Sequence, residues 1–146
     1  MGRRLGIPSH PDSRDPELKW LFAGVEDDTI GEDGFVLGGA AGDELDCADL
    51  TRGTPAQARI LMSSSHNELY YPAIEVRSEI GPGQDGAANP DVRADVVLIE
   101  TPGRGSVFSV GSICWAGALA HANYDNDVAR VTTNVLEHFL NTTIAC

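Results

Sequence analysis

Residues 92–112 read VRADVVLIETPGRGSVFSVGS, and this stretch carries the strongest local folding signal in the chain. Residues 92–101 are largely apolar and β-branched, and residues 106–112 form a second run with strand character. The intervening sequence PGRG supplies the proline and the glycines of a tight turn. The stretch therefore predicts an antiparallel β-hairpin, with Val107 and Phe108 on opposite faces of its second strand.

A C-terminal helix is predicted from residue 126 to residue 140. Asp125 or Asn126 can cap its first turn, and Asp127 complements the positive end of the helix dipole. Apolar residues recur at helical spacing and form one stripe: Val128, Val131, Val135, Leu136, Phe139 and Leu140. The stripe indicates an amphipathic helix with one apolar face.

The N-terminal half gives weaker signals. Residues 1–16 are polar and contain three prolines, which predicts a loose, flexible arm before a domain over residues 17–146. Residues 16–25 (PELKWLFAGV) are typical of a short helix that ends at a glycine. The glycine-rich residues 31–42 allow a backbone or a ligand to approach closely, and residues 58–62 (ARILM) predict a buried strand.

Length and charge limit the class of protein. The 146 residues suit a single domain, and the mixture of strands and helices predicts an α/β fold. A net charge of −12 opposes binding to nucleic acid or to an anionic membrane surface, and no apolar run approaches the ~20 residues that span a bilayer. Three widely spaced cysteines indicate reduced thiols, which predicts a cytoplasmic protein.

Polar side chains concentrate where the hairpin ends and the last helix begins, in residues 111–127 (GSICWAGALAHANYDND). Open α/β sheets bind ligands at the carboxyl ends of strands and at helix N-termini. Ser112, His121, Tyr124 and Asn126 are therefore candidate binding residues. The simpler alternative is that the polar run only caps the helix and that His121 is a surface loop residue.

A second candidate follows the strand at residues 58–62. Ser64 or Ser65 with His66 offers the residue types of a nucleophile and its base. No G-x-S-x-G elbow surrounds these serines, so an ordinary serine-rich loop is the competing interpretation.

Carboxylates also cluster at Glu44, Asp46 and Asp49. They lack the spacing of a calcium-binding loop, and no histidine joins them. We expect a solvated acidic loop and assign no metal ligand and no catalytic residue to this chain.

Several motifs resemble one known family. They are GGAAGDELD at residues 38–46, GTP at 53–55, VRADVV at 92–97, GSVFSVGSICW at 105–115 and YDNDVAR at 124–130. In this order they resemble the C-terminal region of the large (beta) subunit of N,N-dimethylformamidase and its relatives. The final strand, loop and helix also look similar to class I glutamine-amidotransferase-like domains.

The resemblance implies hydrolysis of a formamide to formate and an amine at a mononuclear iron held by two tyrosines and a glutamate. In the family these ligands lie upstream of the region matched here, so they are not assigned to Tyr70, Tyr71, Tyr124 or Glu100. No cofactor is therefore expected in this chain. The implied fold is a partial three-layer, flavodoxin-like domain with a β-hairpin and a C-terminal helix.

The family subunit is several times longer than this chain, which implies a C-terminal domain or fragment that acts as scaffold and subunit contact. The expected partner is the remainder of the large subunit or another family subunit, in a homo- or hetero-oligomer. The alternative is a non-catalytic interaction module or a truncated remnant without activity. The sequence supports incompleteness independently, because its few strands and helices would leave one sheet face bare.

Overall fold

The structure, a computed structural model, describes residues 6–37, 39–66, 69–74, 77–78, 80–101, 103 and 105–143. The strands in this part of the chain are β1 (Ile7–Pro8), β2 (Thr29–Ile30), β3 (Arg59–Ser63), β4 (Ala73–Ile74), β5 (Arg77–Ser78), β6 (Asp95–Thr101) and β7 (Gly105–Ser109). The α-helices are α1 (Cys114–Leu119) and α2 (Asp127–Thr143). Short 3-10 helices occupy Pro11–Arg14, Pro16–Leu18, Leu50–Arg52 and His121–Tyr124.

The central element is a three-stranded sheet with the order β3-β6-β7. The predicted hairpin is confirmed, because β6 and β7 pair antiparallel with Leu98 opposite Phe108 and Ile99 opposite Val107. The predicted strand at residues 58–62 is also confirmed, as β3 on the other side of β6. The long apolar strand therefore lies in the middle of the sheet, where both its edges are paired.

Every strand pair in the described residues is antiparallel, including the two small pairs β1-β2 and β4-β5. A flavodoxin-like sheet is mainly parallel and is covered by helices on both faces. The structure thus shows a small mixed α/β fold with antiparallel sheets and a C-terminal helix.

Helix α2 forms as predicted and covers one face of the sheet. The three valines of the predicted stripe are buried, and Phe139 packs half-buried against the same core. Leu136 and Leu140 differ from the prediction because both are exposed, so the apolar stripe is wider than the face that the sheet covers. None of the helices in the described residues is long and apolar enough to cross a membrane.

The N-terminal segment differs from the predicted loose arm wherever the structure describes it. Ile7 is fully buried, and its strand β1 pairs with β2. Ser9 forms an isolated antiparallel bridge with Met62, which places this segment beside β3. Burial of one large side chain and strand pairing hold the segment from Gly6 onward, whereas residues 1–5 lie outside the described part.

The predicted helix at residues 16–25 is not an α-helix. A 3-10 helix at Pro16–Leu18 continues as turns with i to i+3 hydrogen bonds, such as Leu21 N–H to the Leu18 carbonyl. Residues three apart eclipse each other in this geometry, which buries Leu18 and Leu21 on one line. Gly24 ends the segment with a φ of 78°, as the sequence indicated.

The glycine-rich segment packs closely against other residues of this chain. A Cβ atom on Gly31 would lie 2.3 Å from the Cβ of Ala40, and one on Gly34 would lie 3.2 Å from the Cα of Ala118. Gly34 therefore lies against helix α1, and Gly31 lies against Ala40 of the same loop. Gly38, which belongs to the same motif, lies outside the described residues.

Gly111, which follows β7, provides a test of this close packing. It has a φ of 64°, and a Cβ there would lie 2.5 Å from the Asp95 carbonyl oxygen. We expect Gly111→Ala to lower the free energy of unfolding by about 3 kcal/mol, since left-handed strain and a backbone clash add together. Urea denaturation measures the loss.

Gly103→Ala is the matched control. Gly103 also has a positive φ, of 70°, but no described atom lies within 4 Å of a Cβ placed there. Gly103→Ala should lower the free energy of unfolding by about 1 kcal/mol through backbone strain alone. Equal losses in the two variants would show that the clash at Gly111 is relieved without cost.

Candidate functional site

Several loops converge at one end of the three-stranded sheet, where β3 and β7 end and β6 begins. The Asp46 N–H donates to the Gly111 carbonyl at 2.8 Å, and the Asp95 N–H donates to the Asp46 carbonyl at 3.0 Å. On the other side of β6, the Ser64 N–H donates to the Ala94 carbonyl at 2.9 Å. We call the polar residues gathered here the sheet-end cluster: Ser64, His66, Tyr70, Asp95 and Ser112.

The serine and histidine singled out in the sequence do meet. Ser64 Oγ lies 2.8 Å from His66 Nε2, and it also accepts a 2.7 Å hydrogen bond from the Ala94 N–H. The His66 ring contacts the Tyr70 ring with centroids 4.5 Å apart, and burial raises the pKa of the Tyr70 phenol. Only 6% of Ser64 is exposed. Its hydroxyl joins the end of β3 to the start of β6, because it accepts the hydrogen bond from the Ala94 N–H.

Asp95 is the most deeply buried charge of the cluster. Its carboxylate accepts hydrogen bonds from Ser63 Oγ at 2.6 Å, from the Ala48 N–H at 2.8 Å and from Arg93 Nε at 3.0 Å. Burial disfavours the charged guanidinium of Arg93, but the hydrogen bonds and the charge of Asp95 outweigh this and raise the pKa of Arg93. With these three partners, the charge of the buried carboxylate is compensated by groups of the protein itself.

The Asp95 arrangement also fixes a loop. Arg93 donates from Nη2 to the Ala48 carbonyl at 3.2 Å, so both charged partners hold the backbone of residue 48. Burial raises the pKa of the neighbouring Cys47 thiol, although Arg93 acts in the opposite direction. At neutral pH the thiol therefore stays protonated and weakly nucleophilic.

The pairing of Asp95 with Arg93 and residue 48 was not predicted from the sequence. An aspartate at the start of an apolar run, two residues after an arginine, was the available signal. A buried carboxylate must be paired, so the spacing of Arg93 and Asp95 should have predicted a buried ion pair at the strand start.

Ser112 holds the loop before helix α1. Its Oγ donates to the Asp43 carbonyl at 2.7 Å and accepts longer bonds from the Gly42 and Cys114 N–H groups, both at 3.3 Å. Ser112 precedes α1, whereas the other candidates His121, Tyr124 and Asn126 follow it. The four candidate residues are therefore divided between the two ends of that helix, and their role in binding stays a prediction.

Asn126 caps helix α2, as the sequence predicted. Its Oδ1 accepts from the Ala129 N–H at 2.9 Å. Its Nδ2 donates to the carbonyls of Leu119 and His121, at 3.2 and 2.7 Å. One amide side chain thus joins the end of α1 to the start of α2.

The connection between the two helices is conformationally unusual. Ala122, Asn123 and Tyr124 all adopt positive φ values, of 51°, 57° and 67°. Left-handed backbone costs about 1–2 kcal/mol for each residue that has a Cβ. His121 contacts Phe35 with ring centroids 5.6 Å apart, and Tyr124 is exposed. No sequence signal indicated three consecutive left-handed residues here.

The His, Cys, Asp and Glu side chains are scattered over the described residues. No group of three or more His, Cys, Asp or Glu residues in this part of the chain is placed to hold a metal ion. The acidic residue Asp49 instead caps a 3-10 helix, and hydrogen bonds from Thr51 lower the pKa of its carboxyl. The ring contact of Tyr70 is to His66, and Tyr124 is exposed on a different loop.

Comparison with known proteins gives a consistent result. Residues 3–127 match a family model described as N,N-dimethylformamidase beta subunit-like, C-terminal. The chain is 43% identical over 132 residues to the N,N-dimethylformamidase beta subunit of Paracoccus aminophilus. It is 39% identical over 132 residues to the N,N-dimethylformamidase beta subunit of an Alcaligenes species. Each alignment covers 89% of this chain but only 17% of the relative.

The role of Ser64 can be tested through stability. We expect Ser64→Ala to lower the free energy of unfolding by about 1–3 kcal/mol, because the Ala94 N–H and the His66 imidazole both lose a buried partner. The exposed Ser109 in β7 is the control, and Ser109→Ala should change stability by less than about 0.5 kcal/mol. If Ser64→Ala proves as stable as the parent chain, the hydrogen bonds of Ser64 do not hold the strand ends.

The buried ion pair makes a stronger prediction. Asp95→Asn removes the charge that compensates Arg93, and we expect a loss of about 3 kcal/mol in chemical denaturation. Asp91→Asn is the matched control, since Asp91 pairs with the same arginine at 3.4 Å but is exposed. It should have little effect. Similar losses in both variants would contradict the central position given to Asp95.

Proposed function

Because the chain belongs to the N,N-dimethylformamidase beta subunit-like C-terminal family, we propose that it is a C-terminal scaffold domain of an amide hydrolase of that type. The observation that carries the proposal is the match over residues 3–127, combined with relatives of which the chain spans only 17%. The catalysed reaction would be hydrolysis of a small neutral formamide. The iron chemistry would belong to residues outside this chain.

The hydrogen bonding of the polar residues supports a scaffold role. Asp95 holds residue 48, Ser112 holds residues 42 and 43, and Asn126 joins the two α-helices. Each side chain makes at least one hydrogen bond to a backbone group of another segment. Such bonds fix loops in place and leave those polar atoms engaged within the domain.

Incomplete coverage of the sheet supports the same proposal. Helix α2 covers one sheet face, and exposed Leu136 and Leu140 extend beyond that contact. We propose that the three-stranded sheet is the antiparallel edge of a larger mixed sheet, which would give the complete subunit its glutamine-amidotransferase-like fold. A cytoplasmic location belongs to the same proposal, and the free thiols of Cys47 and Cys114 are consistent with it.

The proposal can be tested by exchange of segments. The Paracoccus aminophilus beta subunit would be prepared with its matching segment deleted, and also with that segment replaced by this chain. We expect the deletion to abolish soluble assembly and the replacement to restore assembly, bound iron and hydrolysis of N,N-dimethylformamide. Size-exclusion chromatography, iron analysis and release of formate provide the readouts.

The isolated 146-residue chain is the control. We expect it to bind no stoichiometric iron and to release no formate from N,N-dimethylformamide. The proposal fails if the deleted subunit assembles and turns over normally, or if the isolated chain hydrolyses the amide.

A further inference from the structure

The described residues cover the sheet face opposite α2 mainly at one end. Along β6, the residues Asp95, Val97 and Ile99 point to this face, because side chains alternate along a strand. The loop held by Asp95 lies over the beginning of the strand, where Asp95 is buried and Val97 is 6% exposed. Ile99 is only half-buried, and its partner Val107 on β7 is 55% exposed. Exposure thus increases away from the loop.

A third apolar residue extends this uncovered area. Ile60 on β3 pairs with Val97, so it shares the face with Ile99 and Val107, and it is half-buried. A row of β-branched side chains therefore crosses all three strands on the side away from α2. The row is partly exposed, most of all at Val107, and an apolar row at the surface is typical of a contact with other protein.

The edge of the sheet beside this row is also open. The other edge strand, β3, has the bridge from Ser9 to Met62 along its outer side. Within the described part of the chain, no strand pairs with the outer edge of β7. Alternate N–H and C=O groups of an edge strand point away from the sheet and can pair with a further strand.

The sequence of β7 does not protect that edge. Residues 105–109 (GSVFS) contain no charged side chain, although 22% of all residues in the chain are charged. Solvent-facing edge strands are usually guarded by lysine, proline or a bulge. An uncharged edge next to an apolar face indicates a surface that is covered by protein in the functional state.

The occupant can be argued from charge and from length. Two copies of a chain with a net charge of −12 repel each other, which opposes a symmetric pairing of β7 edges. In the relatives the matching region is 17% of the polypeptide, so the rest of the subunit is tethered to it at high effective concentration. The rest of the beta subunit is therefore the favoured partner.

We propose that the rest of the beta subunit docks on the outer edge of β7 and on Ile60, Ile99 and Val107, and that it adds a strand beside β7. We call this edge and these three residues the open sheet surface. The inference rests on the proposed function and specifies the surface through which it operates. Main-chain hydrogen bonds would supply affinity, and the β-branched row would supply apolar contact.

Hydrogen–deuterium exchange gives a direct test. The experiment compares the isolated chain with the same chain inserted into the Paracoccus aminophilus beta subunit, as in the replacement above. We expect alternate β7 amides to exchange at least about tenfold more slowly in the assembled subunit, because they gain strand partners. If the exchange of the β7 amides is unchanged in an assembled and active replacement subunit, the proposed docking surface is wrong, whereas the proposed function still holds.

Substitutions on β7 distinguish a loss of docking from a loss of folding. Val107→Lys should leave the melting temperature of the isolated chain nearly unchanged, because Val107 is largely exposed, and should lower assembly of the replacement subunit at least about tenfold. Ser109→Lys provides a second variant on the same strand. Leu50→Lys is the matched control, since Leu50 is 69% exposed but lies outside the sheet, and it should assemble normally.

The remaining outcomes also decide the inference. If the unsubstituted replacement subunit fails to assemble, the proposed function fails and the docking surface fails with it. If Val107→Lys assembles as well as Leu50→Lys, the surface is wrong. If the isolated chain forms a dimer in sedimentation analysis and Val107→Lys abolishes that dimer, the edge pairs with a second copy and the assigned occupant is overturned.

Discussion

The structure depends on one buried charge. The carboxylate of Asp95 is removed from water at the first position of the central strand, where an unpaired charge could not be tolerated. It is satisfied by a hydroxyl from the neighbouring strand β3, a guanidinium two residues earlier and a backbone N–H from residue 48. Segments distant in sequence must meet at this point, because each supplies a donor that the carboxylate requires. Buried pairs of this kind add little net stability but penalise alternative arrangements of the same loops.

This constraint also determines which surfaces are left open. The loop that Asp95 holds covers one end of the sheet face away from α2, and nothing described covers the other end around Val107. Helix α2 completes the core on the opposite face through its valines. The apolar residues are therefore buried on the sheet face that α2 covers and partly exposed on the other face. Such an asymmetry suits a domain whose relatives carry it as a minor part of a longer polypeptide.

The sequence predicted the elements in which one strong local pattern operates. The hairpin, strand β3 and the Asn126-capped helix formed because alternation, helical periodicity and capping all agreed. The segment at residues 6–10 has no such pattern, and its place beside β3 arises from burial of Ile7 in a tertiary contact. The pairing of Asp95 with residue 48 was equally non-local. The candidate binding residues were grouped by closeness in sequence, whereas helix α1 separates Ser112 from Asn126.

The contact between Ser64 and His66 shows why residue types alone do not establish chemistry. A nucleophilic serine needs a free approach for its substrate and a hydroxyl whose proton passes to the base. Ser64 Oγ is buried and already accepts a hydrogen bond from the Ala94 N–H, which withdraws electron density from the oxygen that would attack. The same two bonds are well suited to closing the end of β3 against β6, since one side chain joins a neighbouring backbone to an imidazole. The contact that resembles a nucleophile and its base is therefore accounted for by its position at the end of a strand.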